Sequence, residues 1–344
     1  MGGDFGPQAV VPAAALALEE LGASAKFIFC GDEKKIAPLL DAHPALKAVS
    51  QIRHTEQVIA NDEKPSAALR RKDSSMRLAI DAVKEGAAQS VVSAGNTGAL
   101  MATAKLVFRC LPGVNRPAIA SVIPTMQGET IMLDLGANLT CDAEMLAQFA
   151  VLGAVYARAV KGIANPTVGI LNVGTEEVKG TDQVREAAAI LSGIELPGKF
   201  AGFVEGDDIA KGTVDVVVTD GFTGNVALKV AEGVGKLTGH FLKEAFLSSL
   251  FAKLGALFAS GALKRLKKRV DPRFYNGGMF LGLDGICVKS HGGMDSYGFS
   301  RAIIVAAHLV EQGYNKRVAE EIGHIMSKGA LSAASATKQP ESVA

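Results

Sequence analysis

Short apolar runs that end in turn residues alternate along this chain with longer segments of helical spacing. Residues 214–218 form a β-branched run typical of a buried parallel strand. Asp220 and Gly221 end this run, and Thr223, Gly224 and Asn225 lead into a segment with apolar positions every three or four residues. A strand, a glycine turn and a helix start present free N–H groups and a positive dipole end, which favours an anion there.

The same pattern recurs in six other segments. Each places Gly, Asn, Asp, Ser or Thr just past an apolar run, at 90–98, 119–125, 130–138, 167–175, 200–208 and 286–293. Alternation with helical segments predicts βαβ units, a parallel sheet and an α/β fold. Ligands of such sheets bind outside the carboxyl ends of the strands, so we expect these turns to converge on one site. Single turns of this kind are also ordinary connections, and the prediction depends on their number.

Residues 239–270 differ from the rest of the chain. They predict an amphipathic helical excursion with a wide apolar stripe. Its members are Leu242, Phe246, Leu247, Leu250, Phe251, Leu254, Leu257 and Phe258. Five cations follow within six residues, namely Lys264, Arg265, Lys267, Lys268 and Arg269. Two explanations of the stripe are open. It packs in the core or in a dimer interface, or it forms a surface that meets an anionic membrane or an acidic protein.

Composition narrows the function classes. The chain of 344 residues has 48% hydrophobic residues and a formal net charge of +1, which favours a globular protein and argues against a globally basic nucleic-acid binder. Its four cysteines form no C-x-x-C and histidines are few, so we expect reduced thiols in a cytoplasmic protein and no metal site. No apolar run approaches a membrane span of about 18 residues. Neither G-x-G-x-x-G nor a Walker loop occurs, so a nucleotide site has no specific support.

The ends of the chain carry two further expectations. Residues 1–7 form a glycine-rich turn with no strand before it, which is unusual for this fold class, so we expect a preceding strand to be missing. Residues 327–344 are rich in Ala and Ser and lack periodicity, which predicts a disordered tail. Residues 1–326 are then one large α/β domain.

Taken together, the turns resemble those of the bacterial acyl-(acyl carrier protein):phosphate acyltransferase family. The resemblance extends over about residues 1 to 325. The matching motifs are Met1-Gly-Gly-Asp4, Ser93-Ala-Gly-Asn-Thr-Gly98, Asp134-Leu-Gly-Ala-Asn138, Leu171-Asn-Val-Gly-Thr-Glu-Glu-Val-Lys-Gly180, Thr219-Asp-Gly-Phe-Thr-Gly-Asn225 and Lys289-Ser-His-Gly292. The order and spacing of these motifs make the match specific.

This resemblance implies a Rossmann-like αβα sandwich, similar to phosphotransacetylases and isopropylmalate dehydrogenases. It implies a cytoplasmic homodimer, associated peripherally with the membrane, that transfers a long-chain acyl group from acyl carrier protein to inorganic phosphate. The acyl phosphate product serves phospholipid synthesis, and the glycerol-phosphate acyltransferase that uses it is a further expected partner. No cofactor is expected, because phosphate is itself nucleophilic and a thiolate is a good leaving group. No nucleic acid is expected either, because the net charge is only +1 and aromatic residues make up 6% of the chain.

The site assignments follow from the matching motifs. Lys179 is the candidate for phosphate binding and transition-state charge, with a solvated lysine as the alternative. Asn225 is the candidate oxyanion donor beside the N–H groups of Gly224 and Asn225, with a helix cap as the alternative. His291 is a further donor or fixes its own turn. The candidate phosphate-binding residues are Gly2, Gly3, Asp4, Ser93, Asn96, Thr97, Gly98, Asn138, Thr175, Thr223, Gly224 and His291.

The chain has two basic clusters. One is Arg70, Arg71 and Lys72, and the other is the run from Lys264 to Arg269. Both suit the acidic surface of acyl carrier protein or the membrane. A capped, solvated helix start is the alternative for the first cluster. Three other functions compete with the long-chain reaction: a short-chain phosphotransacylase that uses coenzyme A, a nicotinamide-dependent dehydrogenase and a non-catalytic membrane scaffold. The apolar stripe favours a long chain over a short one, and the missing dinucleotide fingerprint argues against the dehydrogenase.

Overall fold

The computed structural model describes residues 1–327, without the side chains of Lys267, Met326 and Ser327. Of the predicted tail, residues 328–344 lie outside the described residues. The strands are β1 (Phe27–Gly31), β2 (Ser50–His54), β3 (Ser90–Ser93), β4 (Ala118–Thr125), β5 (Gly128–Leu133), β6 (Thr167–Leu171), β7 (Lys199–Val204), β8 (Val216–Val218), β9 (Gly278–Leu281) and β10 (Ile286–Lys289).

The helices occupy most of the connections between these strands. They are α1 (Pro7–Leu21), α2 (Glu33–Asp41), α3 (Pro44–Ala48), α4 (Pro65–Ala68), α5 (Ser75–Lys84), α6 (Thr97–Phe108), α7 (Ala143–Lys161), α8 (Asp182–Gly193), α9 (Gly206–Lys211), α10 (Gly221–Leu247), α11 (Leu250–Phe258), α12 (Ser260–Val270), α13 (Ser296–Glu311) and α14 (Tyr314–Ser327). A short 3-10 helix, Pro272–Tyr275, precedes β9.

Eight of the described strands form one sheet in the order β3-β10-β9-β4-β5-β8-β6-β7, and β1 pairs in parallel with β2 in a separate sheet. Four pairings of the large sheet are parallel, β3 with β10 and those joining β5, β8, β6 and β7. The pairings β10-β9, β9-β4 and β4-β5 are antiparallel. The predicted α/β fold with a mostly parallel sheet is therefore confirmed.

The sheet has two rims, one at each end of its strands. The direction of each strand decides at which rim the turn after it lies. The first rim holds the carboxyl ends of β5, β6, β7 and β8. The second rim holds the carboxyl ends of β3 and β10, because β9 and β4 reverse the direction in the middle of the sheet. The turns therefore lie at two rims, because β3, β4 and β10 run opposite to β5, and the convergence of all the turns on one site stays a prediction.

Helix α7 forms the centre of the core and is buried on nearly all sides. Contrary to the expectation that no segment approaches a membrane span, its 19 residues are long and apolar enough to cross a membrane, but 83% of its 18-residue apolar stretch is buried inside the protein, as in a core helix. At Gly153 the helix lies directly on the sheet, where an added Cβ would come within 2.6 Å of Val216 Cγ1 and 3.0 Å of Leu133 Cδ2. The glycine therefore sets the distance between α7 and strands β5 and β8.

The predicted excursion is helical but is not part of the core of this chain. In α10, Val226, Val230, Val234, Leu237 and Phe241 are each about half exposed. In α11, Phe251 and Phe258 expose 87% and 88% of their surface. Core packing as the explanation of this stripe is thus contradicted, and an interface with another surface remains.

The N-terminal turn lies beside a cavity between the two sheets. Side chains of β1 and β3 line it together with Met1, and these two strands do not pair with each other. The expectation of a strand before Met1 stays a prediction.

Replacing Gly153 by valine tests how closely α7 contacts the sheet. Overpacking against Val216 and Leu133 should lower the free energy of unfolding by about 2 kcal/mol. Gly193→Val is the control, because an added Cβ there meets no atom within 4 Å and the change should stay within about 0.5 kcal/mol. Urea unfolding followed by circular dichroism measures both, and equal stabilities of the two variants would contradict the close contact.

Candidate active site

The turn after β5 is organised by the buried carboxylate of Asp134. Its Oδ1 accepts hydrogen bonds from the backbone N–H groups of Ile119 at 2.9 Å, Gly136 at 3.2 Å and Ala137 at 3.0 Å. Its Oδ2 accepts from Asn138 N at 2.7 Å and Asn138 Nδ2 at 2.9 Å. Burial raises the pKa of Asp134, while these hydrogen bonds oppose that shift. Since every partner is a donor, the geometry suits the ionised carboxylate.

Asn138 is a structural brace in this turn. One amide hydrogen goes to Asp134 and the other to Pro117 O at 2.8 Å, and the side chain is buried. Both amide hydrogens of Asn138 are thus used inside the protein, and its binding of phosphate stays a prediction. Asn138 O in turn accepts from Gly221 N at 2.7 Å, which ties the turn to the first residue of α10.

Helix α10 begins four residues earlier than Asn225, with Asp220 as its N-cap. The Asp220 carboxylate accepts from Thr223 N at 2.9 Å and Thr223 Oγ1 at 2.8 Å. Gly224 N donates to Asp220 O at 2.9 Å. The predicted free N–H of Gly224 and the predicted donor hydroxyl of Thr223 are both used inside the protein. The Asp220 carboxylate lies at the helix start, where the sequence suggested an external anion. As an N-cap it accepts hydrogen bonds from the backbone N–H groups that an anion would otherwise bind.

Asn225 lies against the Asp134 turn. Its Nδ2 donates to Leu135 O at 3.1 Å. Gly224 permits this approach, since a Cβ there would lie 1.9 Å from Asp134 O. Asn225 is otherwise exposed, and among the described residues its second amide hydrogen has no acceptor. It is not the cap of α10, and its role as an oxyanion donor stays a prediction.

Lys179 lies in the loop after β6, at the same rim. Asn172 Nδ2 holds this loop by donating to Gly174 O at 3.0 Å and Lys179 O at 3.1 Å. The Lys179 ammonium is exposed and forms an ion pair with Glu176 at 2.7 Å. A hydrogen bond to Glu176 raises the pKa of Lys179, which keeps it cationic. Thr175 is exposed in the same loop.

The second rim carries another group of turns. Gly2 lies so close to the turn after β3 that a Cβ on it would be 2.6 Å from Gly95 Cα. Gly3 has a φ of +87° and faces Ala94 and Gly292. Asp4 N donates to Gly292 O at 2.9 Å. The N-terminal turn is thus packed between the turns that follow β3 and β10. Residues of all three turns are candidates for phosphate binding from the sequence, and the fold brings these turns together.

Asn96 caps α6 in this group. Its Oδ1 accepts from Ala99 N at 2.9 Å, and its Nδ2 donates to Asn61 O at 2.8 Å and Glu63 O at 2.9 Å. The Asn96 amide thus serves the cap and the loop before α4, and phosphate binding by Asn96 stays a prediction. Ser93 Oγ accepts from Gly95 N at 3.2 Å, and Thr97 and Gly98 form the first turn of α6.

His291 both fixes its own turn and keeps a donor. Its Nδ1 accepts from Gly293 N at 3.1 Å, which places the proton of the neutral ring on Nε2. Burial lowers the pKa of His291, and the charge of Lys229 on α10 lowers it further, whereas Glu232 opposes. The first turns of α10 therefore act electrostatically on the second rim, although α10 begins at the first.

Some side chains of the two basic clusters contact other groups of the protein, and the rest are exposed. Arg71 pairs with Glu63 at 3.0 Å, while Arg70 and Lys72 are exposed. In α12, Lys268 Nζ lies 5.6 Å from the centre of the Phe274 ring and Arg269 Nη2 donates to Met126 O at 3.2 Å. Lys264 and Arg265 are exposed.

Comparison with known proteins identifies the family. The model of the family described as fatty acid synthesis protein matches residues 1–317. The phosphate acyltransferase of Rhodospirillum centenum is 58% identical over 343 residues, covering 99% of this chain and 95% of that protein. That of Rhodospirillum rubrum is 55% identical over 326 residues, covering 94% and 93%. The chain belongs to the phosphate acyltransferase family. It is an acyltransferase, and its acyl acceptor is phosphate.

Solved structures show the same fold outside the phosphate acyltransferase family. A phosphotransacetylase from Streptococcus pyogenes superposes with a TM-score of 0.61 at 17% identity, covering 88% of this chain and 90% of its own. The EutD phosphotransacetylase from Staphylococcus aureus gives 0.54 at 16% identity, with coverages of 88% and 99%. The predicted similarity to phosphotransacetylases is confirmed for the fold.

Sequence reasoning left three charged residues of the site without a role. Asp134 and Lys289 stand inside the matching motifs, and Asp220 was assigned only to ending a strand. A carboxylate followed within four residues by Gly and Asn is a turn signal that could have indicated the Asp134 brace. Among the described residues no group of three or more His, Cys, Asp or Glu could hold a metal ion.

Asp134→Asn should damage the turn while keeping its shape. The new amide would direct hydrogens at N–H donors, and the loss should reach about 2–4 kcal/mol in the free energy of unfolding. Asp142→Asn is the matched control, because Asp142 caps α7 from an exposed position and Asn caps equally well. Thermal and urea unfolding would measure both, and a variant as stable as the control would refute the brace.

Proposed function

We propose that this protein transfers a long-chain fatty acyl group from acyl carrier protein to inorganic phosphate, giving acyl phosphate for phospholipid synthesis. The observation that carries the proposal is the course of α10. It begins beside Asn225 at the candidate site and leads into an apolar surface that includes Phe251 and Phe258. A long acyl chain and the membrane that receives its product both need such a surface.

The chemistry asks little of the protein beyond binding and charge stabilisation. A phosphate oxygen attacks the thioester carbonyl carbon, the carbonyl oxygen becomes an oxyanion, and the thiolate leaves as the acyl phosphate forms. The protein must hold the phosphate dianion against the carbonyl and stabilise the charge that develops.

Lys179 and Asn225 are the proposed catalytic residues. Lys179 would exchange the carboxylate of Glu176 for substrate charge, which its exposed position allows. Asn225 would donate its remaining amide hydrogen to the oxyanion, since its other hydrogen is fixed on Leu135 O. That fixed contact orients the donor before the substrate arrives, which is what preorganised stabilisation requires.

The surface of α10, α11 and α12 supports peripheral attachment to an anionic membrane. Phe251 and Phe258 are almost fully exposed, and Lys264 and Arg265 follow on the next helix. Apolar side chains next to a basic run bind anionic bilayers by insertion and by charge together. The exposed positions along α10 are the proposed contact of a homodimer, and the cations at Arg70 and Lys72 suit the acidic carrier protein.

Activity of two variants tests the proposed chemistry. Lys179→Ala and Asn225→Ala should each lower kcat by about 100-fold or more, the usual loss for one transition-state donor. The measurement is acyl phosphate formation from long-chain acyl-(acyl carrier protein) and phosphate, with acetyl-CoA as the competing short-chain donor. Faster turnover of acetyl-CoA would favour a short-chain phosphotransacylase, and wild-type rates in both variants would remove these residues from the mechanism.

Flotation with vesicles tests the membrane surface. Replacing Lys264, Arg265, Lys267, Lys268 and Arg269 by glutamine should weaken binding to anionic vesicles at least tenfold, at about 1 kcal/mol per cation near the surface. Phe251→Ser with Phe258→Ser should weaken it independently of salt, whereas the charge effect should shrink as ionic strength rises. Zwitterionic vesicles are the control, and unchanged binding of the glutamine variant would assign the basic run to a protein partner or to folding.

A further inference from the structure

Lys289 is a partly buried cation at the end of β10 that the mechanism above does not use. Its Nζ donates to Ala94 O at 3.3 Å and to Ser290 O. Ala94 begins the turn that leads from β3 to α6, and Ser290 precedes His291. The ammonium therefore joins the two turns of the second rim.

No carboxylate among the described residues lies within ion-pair distance of this ammonium. Two carbonyl groups satisfy hydrogen bonds but carry no net charge, and a cation partly withdrawn from water without an anion in direct contact is unfavourable. Burial lowers the pKa of Lys289 to about 8, although the carboxylate of Asp4 opposes this shift. An anion bound beside Lys289 would offset the cost.

The other charged groups near Lys289 do not supply that anion. Asp4 faces it from the N-terminal turn, beyond ion-pair distance. Burial raises the pKa of Cys287 on the same strand, so it stays a neutral thiol. Lys229 and Glu232 of α10 pair with each other at 2.8 Å. His291 is neutral above its lowered pKa and retains the Nε2–H donor.

The two lysines of the glycine turns differ in this respect. Lys179 is exposed and already holds Glu176 at 2.7 Å, so a phosphate must displace a carboxylate there. Lys289 has no such competitor, and it lies at turns packed so closely that glycine is required, as at Gly2 against Gly95.

We propose that Lys289 binds the phosphate acceptor at the second rim, with the neutral Nε2–H of His291 as an additional donor. This proposal rests on phosphate acyl transfer as the activity of the site. It assigns the charge of the bound phosphate to Lys289, whereas Lys179 lies at the first rim. No proton or covalent bond passes through Lys289, which acts by binding alone.

Steady-state kinetics against phosphate separate these roles. Lys289→Met should raise the KM for phosphate at least tenfold and change the KM for the acyl donor little, since a lost charge-assisted hydrogen bond is worth about 1.5–3 kcal/mol. Lys179→Met should act chiefly on kcat. Lys84→Met is the control for the loss of one positive charge, because Lys84 is exposed at the end of α5. A wild-type KM for phosphate in Lys289→Met would overturn the proposal.

The pH profile gives a readout that a structural role of Lys289 would not change. Free Lys289 loses its proton as the pH rises through about 8. The wild-type KM for phosphate should therefore increase above that pH by up to tenfold per unit, although phosphate itself remains a dianion. In Lys289→Arg the cation persists, and this increase should disappear. An identical increase in Lys289→Arg would contradict the assignment.

Phosphate binding without an acyl donor separates this proposal from the proposed function. Millimolar inorganic phosphate should raise the Tm of the wild-type protein and not that of Lys289→Met or Lys289→Gln, with sulfate and chloride at equal ionic strength as controls. If this shift occurs but acyl-(acyl carrier protein) is not turned over, the donor is wrong and Lys289 stands. If turnover occurs and phosphate stabilises Lys289→Met as well as the wild type, Lys289 is wrong and the function stands.

Discussion

The buried carboxylate of Asp134 is the interaction on which the candidate site depends. It collects five donated hydrogen bonds from β4 and from its own turn. Through Asn138 that turn accepts the first N–H of α10, and through Gly224 it lets the helix approach. The Asp134 carboxylate therefore positions Asn225 without itself having to contact substrate.

Helix α10 is what relates the two rims of the sheet. The strands between them are three to eight residues long, and a four-residue strand spans about 13 Å. A helix that advances 1.5 Å per residue covers a similar distance within about nine residues. This agrees with the electrostatic effect of Lys229 and Glu232 on His291. The effect of Lys229 and Glu232 on His291 is therefore one electrostatic link between the two rims, and it depends on the position of α10.

What the sequence predicts well is local. The run 214–218 and the turn after it announce a strand and a helix start because β-branched residues and turn residues act on their immediate neighbours. The α/β fold followed from the alternation of such segments. The direction of β4 and β10 did not, because a reversed strand has the same apolar run and the same flanking turn as a parallel one.

Side-chain roles were predictable only where the partner is near in sequence. Asn96 and Asn138 have the residue type that a phosphate site wants, yet each gives its amide to backbone carbonyls that lie 21 or more residues away. Lys179 could be singled out because it stands alone in a glycine loop. Lys289 could not be singled out in this way. The lack of a carboxylate in direct contact with its ammonium depends on the tertiary fold and not on the neighbouring sequence.

The apolar exposure of α10 and α11 also governs how this protein behaves when no partner is present. Charges on α12 repel one copy from another at low ionic strength, but salt screens that repulsion within about 10 Å at 0.1 M. The attraction between exposed aromatic side chains persists under the same conditions. Concentrated salt should therefore favour self-association through this face.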